Sequence, residues 1–257
     1  IRRPPRSTLS SSSAASDVYK RQAMYLLFGE NITCGYGSVD ILFNCDVGVN
    51  EGEISSIVGP NGAGKSTAMK ALFGLLPIKQ GKIILDGEDI TNIPPQQRVL
   101  KGMGFVPQTN NIFPSLTVEE NLEMGAFVEQ HDCKKMLEYI YELFPVLKDK
   151  QYQLAGELSG GQRQQVAVGR ALMTKPKVLM LDEPSAGVSP IIMEGLFNKV
   201  TEIANQGTAV LMVEQNAKQA LKISDLGFVL NQGKNLFTDT GNSLLENKEV
   251  RQAFLGG

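Results

Sequence analysis

Gly59-Pro60-Asn61-Gly62-Ala63-Gly64-Lys65-Ser66 decides what kind of chain this is. It has the spacing G-x-x-x-x-G-K-[ST], follows the apolar run Ile54 to Val58 and precedes a helix-like stretch, Thr67 to Gly74. A strand, a glycine-rich loop and a helix in that order make a cradle for phosphate. The glycines let backbone N–H groups turn inward around phosphate oxygens without a Cβ in the way. Lys65 brings a compact positive charge to the outer phosphates, and the Ser66 hydroxyl can ligate Mg²⁺. The helix behind them, entered at Thr67, presents its positive dipole end. Gly59 to Thr67 are therefore candidate triphosphate contacts.

Two further strings lie far downstream. Val178-Leu179-Met180-Leu181-Asp182-Glu183 is an apolar strand ending in two carboxylates. In doubly wound nucleotide-binding sheets such a strand end is expected beside the phosphate loop. Asp182 is placed to hold Mg²⁺ through water. Glu183, one residue on, can take the proton of a water attacking the terminal phosphate, help worth roughly 10²–10⁴-fold. By itself the pair would read equally well as a solvated strand end; the phosphate loop upstream favours chemistry. Leu158-Ser159-Gly160-Gly161-Gln162 precedes a helix expected over Arg163 to Met173. Its two glycines and the helix N-terminus can hold an anion; the structural alternative is a glycine-rich cap.

From Met24 onward β-rich runs alternate with helical stretches, the pattern of an α/β fold. Tyr25 to Thr33 and Ile41 to Val49 read as antiparallel strands leading into Ile54 to Val58. Lys82 to Leu85, followed by the turn Asp86-Gly87, and Gly104 to Val106, ending in Pro107-Gln108, read as further strands. Leu122, Phe127, Met136, Leu137, Ile140, Leu143 and Phe144 recur at helical spacing, so 109–156 is expected to be a helical lobe inserted into the core. Val178 to Leu181 and Ala209 to Val213 are unbroken apolar runs, as central parallel strands buried on both faces require. The expected fold class is α/β. It comprises a P-loop NTPase core with a mostly parallel sheet, an N-terminal antiparallel β subdomain and the inserted helical lobe.

Composition narrows the function. Of 257 residues 42% are hydrophobic, enough for a substantial core, yet no apolar run approaches the roughly 20 residues of a membrane-spanning helix. Any membrane role must then pass through a partner. Cys34, Cys45 and Cys133 are widely spaced and odd in number, which argues against a disulfide framework or metal site and for a reducing cytoplasm. Residues 1–23 differ from the rest, with Arg2, Arg3, Arg6, Lys20 and Arg21 against the single acid Asp17. Such a stretch has the flavour of an organelle transit peptide. Met24, sitting where the domain begins, favours instead a disordered, non-native tail resembling translated vector sequence, with the domain over 24–257. The whole chain has 25 basic and 27 acidic residues; without that tail the balance is 20 against 26. A nucleic-acid partner calls for the opposite sign.

Taken in order, the phosphate loop, Gln108, Leu158 to Gln162 and the Asp182-Glu183 strand resemble an ATP-binding cassette (ABC) ATPase from about Met24 to the C-terminus. The resemblance implies ATP and Mg²⁺ as ligands and two cassettes packed head to tail. Each ATP then lies between one phosphate loop and the partner's Ser159-Gly160-Gly161-Gln162, so hydrolysis lets the pair open. It also implies that Gln108 touches Mg²⁺ and senses a transmembrane permease, and that Tyr36 stacks under adenine, a contact worth roughly 1–3 kcal/mol. Two positions depart from the family pattern. Gln215 stands where most cassettes have histidine, and the lone His131 lies in the helical lobe among charged neighbours. An amide cannot take up a proton near neutral pH, but Gln215 can donate to the γ-phosphate and position water. Ser189 stands where an aspartate is usual in the loop between subunits.

Both departures, with Phe113-Pro114-Ser115-Leu116-Thr117-Val118-Glu119-Glu120-Asn121-Leu122 and the terminal Phe254-Leu255-Gly256-Gly257, are similar to the second ATP-binding subunit of branched-chain amino acid importers. In that group the two cassettes are different polypeptides on a pair of permease subunits, fed by a periplasmic or extracellular solute-binding protein; the resemblance implies a hetero- or homodimer for this chain. The cassette itself lies peripherally on the cytoplasmic face of the membrane. Urea, short-amide and other ABC transporters have similar cassettes. A non-transport cassette in DNA repair or on ribosomes would carry tandem cassettes, a coiled-coil insert or a basic face. A phosphoryl transferase would have no use for Leu158 to Gln162.

Overall fold

The computed structural model describes residues 25–128 and 133–254. The first two strands, β1 (Leu27–Tyr36) and β2 (Val39–Val49), form an antiparallel hairpin turned at Gly37, whose φ of 59° suits a glycine. β3 (Ile54–Val58) and α1 (Lys65–Phe73) flank the phosphate loop. β4 (Ile78–Leu85) pairs with β1 on the side away from β2, and the short β5 (Glu88–Asp89) closes a four-stranded sheet in the order β2-β1-β4-β5. β4 starts four residues earlier than the expected Lys82, since Ile78 and Gln80 still pair with β1 although Lys79, Gln80 and Gly81 are exposed. After α2 (Pro95–Leu100) and β6 (Met103–Val106) the chain enters a helical region. It holds α3 (Val118–Gly125), α4 (Cys133–Leu143) and α5 (Pro145–Asp149), then α6 (Gly160–Leu172).

The remaining strands complete a six-stranded sheet. β7 (Val178–Asp182), α7 (Pro190–Asn205), β8 (Ala209–Val213), α8 (Ala217–Ile223), β9 (Leu226–Asn231) and β10 (Lys234–Asp239) follow in order, before α9 (Gly241–Glu246) and α10 (Lys248–Phe254). The sheet runs β10-β9-β3-β8-β7-β6, parallel throughout except for the β9–β10 hairpin. Every residue of β3, β7 and β8 is buried. Side-chain alternation then divides them between two cores. Ile54, Leu179, Leu181, Val210 and Met212 face the helical region, joining Leu122, Ile140, Leu147 and Val168. Ile57, Val178, Met180, Ala209 and Leu211 face α1 and the antiparallel sheet, joining Met69, Leu72, Leu27, Ile32 and Val47. In the sheet β8 lies between β3 and β7, yet the carboxyl end of β7 reaches the phosphate loop as expected, with Asp182 bonded to Ser66.

The stretch Phe113 to Leu122 folds around one buried amide. Asn121 is fully buried; its Oδ1 accepts from Phe113 N at 2.8 Å, and its Nδ2 donates to the carbonyls of Phe113 and Thr117 at 2.9 and 2.8 Å. Thr117 and Glu120 cap α3 reciprocally. Phe127, which the helical spacing places on an apolar stripe, is instead 77% exposed in a 3₁₀ turn, because α3 ends at Gly125 and the period breaks there. His131 and Leu255 to Gly257 lie outside the described residues, as do residues 1–24.

Candidate nucleotide site

Parallel pairing brings the carboxyl ends of β3, β7 and β8 to one edge of the sheet, where the phosphate loop begins. Gly59 leaves β3 with φ 151°, and a Cβ there would run into the carbonyl of Leu230. Gly64 enters α1 in the left-handed region, φ 100°, with no side-chain cap and no acidic residue in the first helical turn. The first N–H groups of α1 are thus left for an anion. Lys65 is only 5% exposed, and its Nζ donates to the carbonyls of Gly59 at 3.0 Å and Pro60 at 3.2 Å. Burial lowers its pKa even though Glu183, Asp182 and Glu214 act in the opposite direction. A buried cation whose partners are two neutral carbonyls is poised for a stronger anion.

Ser66 Oγ donates to Asp182 Oδ1 at 2.9 Å, across 116 residues of sequence. Burial raises the Asp182 pKa, opposed by that hydrogen bond and by Lys70 and Lys65. Glu183 stands next, 8% exposed, with its Oε2 accepting from Gln108 Nε2 at 2.6 Å. Its φ is 49°, unusual for a residue with a Cβ. Such strain costs on the order of 1–3 kcal/mol and persists where surrounding bonds over-determine it. Tyr36, Ile41, Asn61, Gly62, Gly64, Lys65, Ser66, Thr67 and Glu183 line a cleft of about 380 Å³. The Tyr36 ring is half exposed at its rim, its hydroxyl 3.4 Å from Lys70 Nζ. Gln215 lines two depressions beside this cleft, one with Gly59, Pro60 and Asn61, the other with Glu183 and Ser185.

Ser159 to Gln162 do not line the cleft of their own chain. Ser159 caps α6, which begins three residues earlier than the apolar pattern suggests: its Oγ accepts from Gln162 N at 3.3 Å, and Gln162 Oε1 accepts from Ser159 N at 3.1 Å. The cap and the anion site are compatible, since Ser159 and Gly160 are exposed. Gly161 has no room for a Cβ, which would strike Ile192 of α7. Ser189 precedes α7, exposed, with no side-chain cap bond. One residue at this edge was not singled out by spacing. Glu214 is 1% exposed and accepts from Ser185 N at 2.9 Å and Ser185 Oγ at 2.7 Å. Its signal in the sequence is a carboxylate ending an apolar strand, the same signal that marks Asp182.

Residues 42–186, over half of the chain, match the ABC transporter family. This chain belongs to that family. It is 42% identical over 233 residues to the high-affinity branched-chain amino acid transport ATP-binding protein BraG of Pseudomonas aeruginosa, covering 90% of this chain and 100% of BraG. The probable branched-chain amino acid transport ATP-binding protein LivF of Archaeoglobus fulgidus is 40% identical, covering 88% of this chain and 96% of LivF. A crystal structure of the ADP conformation of an ABC transporter cassette superimposes with a TM-score of 0.79 at 31% identity, over 91% of this chain and 100% of that one. The cassette is an ABC ATPase, and its two sheets with intervening helices are the P-loop NTPase architecture expected of it. Among the described residues no helix is long and apolar enough to cross a membrane.

Proposed function

We propose that this cassette hydrolyses ATP to energise an importer of branched-chain amino acids. One observation supports the chemistry above all. The Ser66–Asp182 and Gln108–Glu183 hydrogen bonds, 2.9 and 2.6 Å, converge at the open N-terminus of α1. The choice of solute rests on the names of BraG and LivF.

Gly59 to Thr67 hold the phosphates, with Lys65 exchanging its two carbonyl partners for γ-phosphate oxygens. Tyr36 stacks on adenine. The Ser66 hydroxyl and Asp182 carboxylate, 2.9 Å apart, are hard oxygen donors of the kind Mg²⁺ selects. Ser66, Asp182 through water, and the Gln108 carbonyl would hold it. When bound, the ion neutralises charge developing on the β and γ oxygens. Glu183 takes the proton of the attacking water, and Gln215 donates an N–H that orients the γ-phosphate and that water.

Ser159, Gly160, Gly161 and Gln162, presented outward by the exposed Ser159 and Gly160, then serve the ATP of a second cassette, hetero- or homodimeric, which accounts for their distance from their own cleft. Gln108 stands before a stretch with exposed apolar side chains, Phe113, Met124 and Phe127 among them, a surface suited to a permease subunit. A periplasmic or extracellular solute-binding protein feeds that permease without touching the cassette, and the acidic balance of 24–257 suits no nucleic acid. The cassette occupies 24–257 with its helical lobe over 109–156, and it sits peripherally on the cytoplasmic face of the membrane.

Glu183→Gln tests the assignment. It preserves shape and removes the base, so ATP turnover should fall by about 10²-fold or more while ATP binding persists and an ATP-bound dimer accumulates on a sizing column. Turnover equal to that of the parent would refute the role given to Glu183.

A further inference from the structure

We propose that Glu214 is a positioning residue for hydrolysis, holding Glu183 in its left-handed backbone conformation by clamping Ser185. The proposal rests on the general-base role of Glu183 given above. Glu183 has φ 49°, and its backbone is pinned on both sides. On one side its own N–H bonds the carbonyl of Val213, at the end of β8, at 2.9 Å. On the other, two residues on, the N–H and hydroxyl of Ser185 both bond the Glu214 carboxylate, at 2.9 and 2.7 Å. Ala186 N, bonding the Glu183 carbonyl at 3.0 Å, closes the turn between them. Glu214 is itself anchored, its N–H bonding the Ile57 carbonyl of β3 at 3.2 Å. The clamp thus ties the turn carrying Glu183 to the strand that leads into the phosphate loop.

Burial of a carboxylate is unfavourable unless its oxygens are satisfied, and both Glu214 oxygens are. Burial raises its pKa, countered by Ser185 and by the Gln215 backbone N–H. A small apolar residue at 214 would leave Ser185 N unpartnered and the turn free to relax toward unstrained φ, moving the Glu183 carboxylate away from the cleft. Glutamine keeps the clamp. Its Oε1 still accepts from Ser185 N, and its NH₂ meets the Ser185 hydroxyl, which then accepts instead of donating.

Steady-state ATP hydrolysis by the full chain, with Glu214→Ala, Glu214→Gln, Ser185→Ala and Glu183→Gln measured side by side, tests this. Glu214→Ala should lower kcat at least tenfold with KM for ATP changed less than threefold, Ser185→Ala two- to fivefold, and Glu214→Gln less than twofold. A merely structural role would lower the amount of folded protein and leave kcat per folded molecule unchanged. Parental kcat in both Glu214→Ala and Ser185→Ala, or no rescue by Glu214→Gln, overturns the proposal. Should Glu214→Ala not fold, parental kcat in Ser185→Ala alone overturns it. If Glu183→Gln is inactive while the Glu214 and Ser185 variants are normal, only the clamp fails; if Glu183→Gln turns over normally, the underlying base assignment fails.

Discussion

The two ends of helix α1 each carry a buried cation, and the two cations are treated in opposite ways. At the C-terminus Arg98 is 1% exposed, with every arm of its fork engaged: Nε to the Ile93 carbonyl at 2.7 Å, one terminal nitrogen to Leu72 at 2.6 Å and the other to Thr91 at 2.9 Å. Leu72 supplies one of the orphan carbonyls of the helix end, and Gly74, with φ 83°, closes it from the left-handed region. At the N-terminus Lys65 meets only the carbonyls of its own loop, the helix has no side-chain cap, and the nearest carboxylates bond Ser66, Gln108 and Ser185 instead. A structural cation is saturated by fixed acceptors. A functional one is held with its strongest partner still to come.

Breaking the N-terminal end should cost the most activity. Lys65→Met keeps the aliphatic stem and removes the charge, and hydrolysis should fall by roughly 10²–10³-fold, the loss typical of one preorganised electrostatic contact. Stability should barely change, because burial already disfavours the charged form of Lys65. A thermal midpoint lowered by more than about 4 °C, or roughly 1 kcal/mol, would show Lys65 to be structural like Arg98. The C-terminal end should respond in the reverse sense. Arg98→Ala strips one buried and two partly buried carbonyls of their donor and should cost roughly 3 kcal/mol, read as a lowered denaturant midpoint, with kcat per folded molecule within about twofold. A catalytic defect exceeding the stability loss would break the contrast. Gln215→Ala gives the smallest effect. It should slow hydrolysis by about tenfold, less than the roughly 10²–10⁴-fold of a general base because an amide orients the water without taking its proton, and leave nucleotide affinity nearly intact. Equal rates in mutant and parent would make Gln215 a bystander.

Much of this edge was legible from local spacing. Glycines at 59, 62 and 64 followed by Lys65-Ser66 announce a loop of inward N–H groups whatever surrounds them, and Val178 to Asp182 and Ala209 to Val213 are too uniformly apolar to be anything but central strands. Arg98 gave no such signal. It follows Pro94-Pro95 in a short polar helix with one buried residue, and nothing in that pattern distinguishes a saturated core guanidinium from a solvated one. Phe127 misled in the opposite direction, since helical spacing says nothing of where a helix ends. The order β3-β8-β7 was equally hidden, because strand order depends on long-range pairing and not on the composition of any strand.

The amino-acid sequence alone determined which chemical groups stand at the strand ends and the helix start, since backbone freedom, charge and apolar runs act over a few neighbouring residues. Only the tertiary structure decided their partners. Gln108 with Glu183 spans 75 residues, Glu214 with Ser185 spans 29 and Arg98 with Leu72 spans 26. Such pairings exist because parallel strands are stacked in a particular order, and that order is settled by burying both faces of the sheet at once.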